Sequence, residues 1–109
     1  MYSNWIGIVN QAAMADPEKR ENPYEALEPS VTLKTEKRDA PYFREAEEAF
    51  GKGRWIDWGS ELYSGTYEQM CRFLDLVEAT EESRSAIDAM PRDAVFGYEW
   101  MEHVWGSGY

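Results

Sequence analysis

The sequence predicts an α+β fold: one mostly helical domain of four or five helices packed on a small sheet of two or three strands. Three observations predict it. Residues 66–79 form a capped amphipathic segment, residues 91–105 place a broad apolar face at helical spacing, and two short segments, VTLKTEK and RWIDW, alternate between apolar and polar residues. A chain of 109 residues fits a single compact domain spanning 1–109, interrupted by a Pro- and charge-rich loop at about 16–30.

In chain order, residues 3–15 (SNWIGIVNQAAMA) read as the first helix. Ser3 or Asn4 caps its start, Trp5, Ile8, Val9 and Ala12 share a face, and Asp16-Pro17 ends it. Residues 16–30 carry three prolines and read as the loop, with a helical turn near 24–27. Residues 31–37 read as a half-buried edge strand whose outward lysine discourages unwanted pairing. Residues 40–50 read as a helix with Asp39 at the N-cap, an apolar stripe of Phe43, Ala46 and Phe50, and Gly51 at the left-handed position that follows it. Residues 54–58 read as a strand that Gly59 and Ser60 break.

The central helix is the most sharply marked. Thr66 and Gln69 stand at capping-box spacing, Tyr67, Met70, Cys71, Phe73, Leu74 and Val77 share one side, and Glu68, Arg72 and Asp75 share the other. A shorter helix follows over 80–90, capped by Thr80 with Glu81 and Glu82 in its first turn. Pro91 then starts a helix to about Trp105, with Phe96, Tyr98, Trp100, Met101, Val104 and Trp105 on its apolar side. A strand over 95–100 competes there, since Val-Phe-Gly-Tyr is good strand material.

Composition limits function. Leu, Ile, Val and Phe number only 18, but Trp, Tyr and Phe number 16, so aromatic rings must supply either the core or a contact surface. Net charge is −10 and uneven: residues 1–54 hold 10 acids and 8 bases, residues 55–109 hold 11 acids and 3 bases. Such a balance disfavours direct binding of nucleic acid or of an anionic membrane and favours a basic protein partner. The single cysteine, Cys71, excludes an internal disulfide, and no secretory leader or membrane-length apolar run is present, so a cytoplasmic location is expected, in a cell or an infected host.

Motifs for catalysis are sparse. No phosphate loop, dinucleotide fingerprint, CxxC or calcium loop occurs, and the serines lack a nucleophile-elbow context. The one histidine, His103, stands four residues after Glu99 and next to Glu102; on a helix these could contribute to a metal site only with further carboxylates. Cys71 lies on an apolar stripe and reads as a structural thiol. No cofactor is expected.

Around Trp55, Trp58, Tyr63 and Tyr67 the neighbours are Asp57, Glu61 and Glu68, and Asp75, Glu78, Glu81 and Glu82 follow. Aromatic anchors beside a carboxylate rim suit a protein-facing surface. The expected function is therefore a small acidic, non-catalytic protein-binding module, an inhibitor that occupies the basic nucleic-acid-binding surface of a partner enzyme, as phage-encoded inhibitors of host defence nucleases do by analogy. The alternatives are an assembly subunit that forms a homodimer through the apolar C-terminal helix, and a small metal-dependent enzyme using Glu99, Glu102 and His103.

Overall fold

A computed structural model of the chain describes residues 2–15, 26–36, 40–57 and 60–102. Five strands, β1 (Tyr2–Val9), β2 (Leu27–Thr32), β3 (Arg54–Asp57), β4 (Ser60–Gly65) and β5 (Phe96–Glu102), form one sheet in the order β2-β1-β5-β4-β3. Every neighbouring pair is antiparallel. A single helical turn, α1 (Gln11–Ala15), follows β1; three longer helices, α2 (Phe43–Phe50), α3 (Tyr67–Leu76) and α4 (Glu81–Asp88), pack on one face of the sheet. The expectation of a mostly helical domain on a two- or three-stranded sheet is thus corrected: the sheet has five strands, and three helices plus one turn replace the four or five expected.

The reason lies in burial on both faces of the sheet. In β5, Phe96 and Tyr98 face the helices with no exposed surface, yet Glu99 and Met101, on the opposite face, are buried as well. A strand covered on both sides loses its two-residue alternation, and its apolar positions then fit helical spacing equally well. The expected helix over 91–105 is therefore a strand at 96–102, and the C-terminal apolar helix proposed for a homodimer does not exist over those residues. Residues 103–109 lie outside the described part, His103 and Trp105 among them. The same cause hid β1. Ile6 and Ile8 look toward the helices while Trp5 and Gly7 look away, so the expected helix over 3–15 is a strand followed by one turn.

The other elements differ less. β2 begins inside the segment expected to be loop, and the strand expected over 31–37 continues only as an isolated bridge from Thr35 to Ala79. Residues 16–25 and 37–39, with the Asp39 cap, are outside the described residues. α2 is rotated from its expected stripe: Glu45, Ala46 and Ala49 are buried and Phe43 is 42% exposed, because the two alanines let α2 approach α3 closely. Gly51 caps α2 with a positive φ of 92°, which favours glycine, but its ψ of −161° takes it outside the left-handed helical conformation expected of it. Ser60, expected to break a strand, opens β4, which pairs with β3 on one side and β5 on the other.

α3 and α4 form where expected. Thr66 accepts from the Gln69 amide at 3.2 Å and Gln69 returns a bond to the Thr66 amide at 2.8 Å, so the capping box is complete. Thr80 caps α4 by accepting from the Ser83 amide. The core lies between the helices and the sheet: Met70, Phe73, Leu74, Val77 and Ile87 meet Ile6, Tyr63, Phe96 and Tyr98. Among the described residues no helix is long and apolar enough to cross a membrane.

At Gly7, β1 and β2 lie close together. A Cβ there would overlap the Pro29 carbonyl oxygen and lie 2.8 Å from the Ser30 Cα, both backbone atoms that cannot swing aside. Gly7→Ala is expected to cost at least about 2 kcal/mol, the scale of overpacking a tight interior, read as a lower urea midpoint with an unchanged slope.

Candidate protein-docking site

α2, α3 and α4 stand side by side, with α2 over β4, α3 against β5 and α4 beside β2. Their apolar faces turn inward, so their charged faces form one continuous outer layer. Exposed carboxylates on it are Glu47, Glu48, Glu68, Asp75, Glu78, Glu81, Glu82 and Asp88, opposed by Arg44, Arg72 and Arg84. Arg72 does not pair with Glu68 on its own helix; it crosses to Glu48 on α2 at 2.8 Å. Arg84 reaches Asp75 at 2.5 Å and also donates to the Leu74 and Ala79 carbonyls at the end of α3. Lys34 pairs with Glu82 at 3.1 Å. Glu47, Glu68, Glu78 and Glu81 make no ion pair among the described residues.

The aromatic residues expected beside this rim separate into three environments. Tyr63 is sealed in the core at 1% exposure, and Tyr67 is half-buried, its ring 5.8 Å from Phe96 and its hydroxyl donating to Asp88 at 2.5 Å. Trp55 is 64% exposed on β3, an edge strand of the sheet, whereas Glu81 and Glu82 stand on α4 beside β2, the opposite edge. Those edges are four inter-strand spacings apart, roughly 19 Å. Trp55 and the α4 carboxylates therefore belong to two surfaces, not one. Asp57 ends β3 opposite Ser60, and Trp58 lies outside the described residues.

Trp55 has a different neighbourhood, which the sequence reading missed. It faces Glu61 across the β3–β4 pair, Glu61 faces Trp100 across β4–β5, and Trp100 faces Asn4 on β1. Residues directly opposite share a face, so these side chains form a row on the helix side of the sheet, with Trp100 half-buried against the core and Trp55 exposed at the edge. Trp55 and Trp100 meet at 6.3 Å with planes 65° apart, and Tyr2 meets Trp100 from the other side at 5.9 Å and 71°. Glu61 is half-buried and accepts the Tyr63 hydroxyl proton. The signal was present as Phe96, Tyr98 and Trp100 at two-residue spacing, with Glu61 and Tyr63 at the same spacing on the neighbouring strand. Beside Tyr2 opens a cleft of about 550 Å³ lined by Asn4, Leu33, Lys34, Thr35 and Tyr42.

Of the expected metal ligands, His103 lies outside the described residues, and the strand separates the other two. Glu99 and Glu102 are three residues apart on β5 and so point to opposite faces; Glu99 is 1% exposed and bonded by the Ser60 hydroxyl at 2.5 Å, and Glu102 is exposed. No group of three ligating side chains gathers among the described residues. Cys71 is a free, half-buried thiol on α3.

Buried hydroxyls couple the core to pH. Burial pushes the Tyr98 phenol well above its usual range; the hydrogen bond from the Tyr42 amide opposes this, and the Tyr42 and Tyr63 phenols and the Glu45 carboxylate add to it. Tyr63 is also raised, by burial first and then by its bond to Glu61; the Trp100 indole N–H, buried without a well-formed hydrogen bond, lies near enough to oppose this slightly. Both phenols stay neutral in the folded chain where an unfolded tyrosine ionises, near pH 10. Their contribution is complete below that pH and is lost as pH rises toward the folded values. Stability should fall above about pH 10, by about 1.4 kcal/mol per pH unit for Tyr98, and Tyr98→Phe should flatten that slope; urea unfolding from pH 8 to 11 with tyrosinate absorbance reads both.

No family model, no curated protein and no solved structure matches this chain.

Proposed function

We propose that this chain is a small, non-catalytic protein-binding domain that docks through its acidic helical layer on a basic protein surface. One observation carries the reading. Eight exposed carboxylates on α2–α4 and the α3–α4 turn stand against four bases, Arg44, Arg72, Arg84 and Lys34, and Glu47, Glu68, Glu78 and Glu81 remain unneutralised among the described residues. Exposed ion pairs contribute little to stability, so a carboxylate excess of this kind is not needed to hold the helices down. It does steer association with a positive partner and reject nucleic acid and anionic lipid. A nucleic-acid enzyme offers such a basic surface, and a chain lodged there would exclude the enzyme's own polyanion, making this domain an inhibitor.

The reading is tested by the salt dependence of capture. Immobilised protein should retain its partner from host extract at low salt and release it as ionic strength rises past physiological, with affinity for the purified partner falling at least tenfold between 50 and 300 mM NaCl. A Glu68→Lys/Glu78→Lys/Glu81→Lys chain with an unchanged circular dichroism spectrum should lose capture. Retention that ignores both salt and charge reversal would sink electrostatic docking through this layer.

A further inference from the structure

We propose that Trp55 and Trp100, with the Glu61 carboxylate between them and Tyr2 bracing Trp100 from the other side, form a binding site for an alkylammonium cation. The walls are aromatic and steeply inclined to one another: 65° between Trp55 and Trp100, 71° between Tyr2 and Trp100. Rings set this way brace one another edge to face, and the Trp55 indole is left 64% exposed, so an organic cation resting on it beside Glu61 meets the negative face of a tryptophan. Tryptophan is the strongest ring for this purpose.

The charge is placed to match. Glu61 is the direct cross-strand neighbour of both Trp55 and Trp100. One of its oxygens accepts the Tyr63 hydroxyl, which fixes the carboxylate in the row, and the other has no protein partner among the described residues. Gly53 makes this arrangement possible: a Cβ there would lie 2.7 Å from the Tyr63 ring and 3.0 Å from the Glu61 carboxyl carbon. The Glu47 carboxylate adds negative potential at the same place, since it bears on the Tyr63 hydroxyl. Trp55 is the most exposed large apolar side chain described, at 64%, and no cation stacks on it or on Trp100 within the described chain. An exposed indole beside an anchored carboxylate fits a ligand that is both greasy and positive, and fits neither an anion nor a plain hydrocarbon.

Two sources carry that chemistry, a quaternary ammonium headgroup and a lysine side chain, methylated or not. If the cation is a lysine of a partner, the site rests on the docking proposed above; the cation itself can be tested without any partner. Choline, N-acetyl-lysine methylamide, its trimethyllysine analogue and 3,3-dimethylbutanol, the neutral isostere of choline, are titrated into the ¹⁵N-labelled chain. The Trp55 and Trp100 indole N–H resonances, two of five, are assigned with separate Trp55→Phe and Trp100→Phe variants. Saturable shifts of Trp55 and Trp100 are expected for the cations, with the neutral isostere at least tenfold weaker. Trp55→Ala, whose side chain is mostly in water, should abolish the shifts while the rest of the spectrum stays in place. Glu61→Gln, which keeps an acceptor for Tyr63, should weaken binding about fivefold or more, and the Glu68/Glu78/Glu81 charge reversal should leave it within twofold. Preference for lysine methylamide over the quaternary cations assigns a protein side chain, and the reverse order assigns a quaternary group. Equal binding of the isostere, or cation-induced shifts that avoid both indoles, would overturn the site.

Discussion

The structure depends on β5 filling the gap between two antiparallel pairs, β1–β2 on one side and β3–β4 on the other. Tyr98, at the middle of that strand, meets almost every layer. Its ring lies 4.6 Å from Phe73 on α3, 6.2 Å from Tyr63 on β4 and 6.4 Å from Tyr42 at the start of α2. Its hydroxyl accepts the Tyr42 amide at 3.2 Å and approaches Asn4 on β1 at 3.4 Å. A phenol can do both jobs at once: the ring fills the centre, and the oxygen satisfies a backbone donor that burial would otherwise leave without a partner.

From that constraint the rest of the layout follows. With the strand filled in, the helix-facing side of the sheet carries Ile6, Phe96, Tyr98 and Tyr63, and α2–α4 must lay their apolar stripes there. Their charged sides are then turned together into solvent, where Arg72–Glu48 and Arg84–Asp75 link neighbouring helices. Such half-exposed pairs are weak contributors individually, so the packing beneath them holds the layer. The helices are short, and among the described residues Tyr2 and Trp55 stay exposed on either side of the half-buried Trp100. The acidic layer and the aromatic row are thus two products of a single arrangement, a helical layer smaller than the sheet below it.

How much of this the sequence revealed divides along a physical line. α3 and α4 were legible because capping is local: Thr66 with Gln69, and Thr80 with Ser83, interact within one turn and need nothing from the remainder of the chain. β1 and β5 were not, because they are buried on both sides, and Glu99 shows how completely, a carboxylate 1% exposed in the centre of the sheet. Pattern reading places carboxylates in water, so Glu99 counted toward a solvent face that does not exist there. The acidic character of the helices was visible from Glu68, Asp75, Glu81 and Glu82, but Trp55 and Trp100, separated by 45 positions in the chain, are brought together only by the pairing of β3, β4 and β5. No window short enough to show a helix contains that contact.

The order of the strands in space also bears on how the protein is made. The central strand is the last of the five in sequence, so while it is still within the ribosome the two preceding pairs can form but face each other across an open slot, each with a row of free amides and carbonyls. The sheet closes only when that strand enters the slot, as a keystone closes an arch. A chain cut before Phe96 would hold this vacancy permanently, and a separate peptide carrying FGYEWME would be its natural complement, giving two fragments that are incomplete alone and native when mixed.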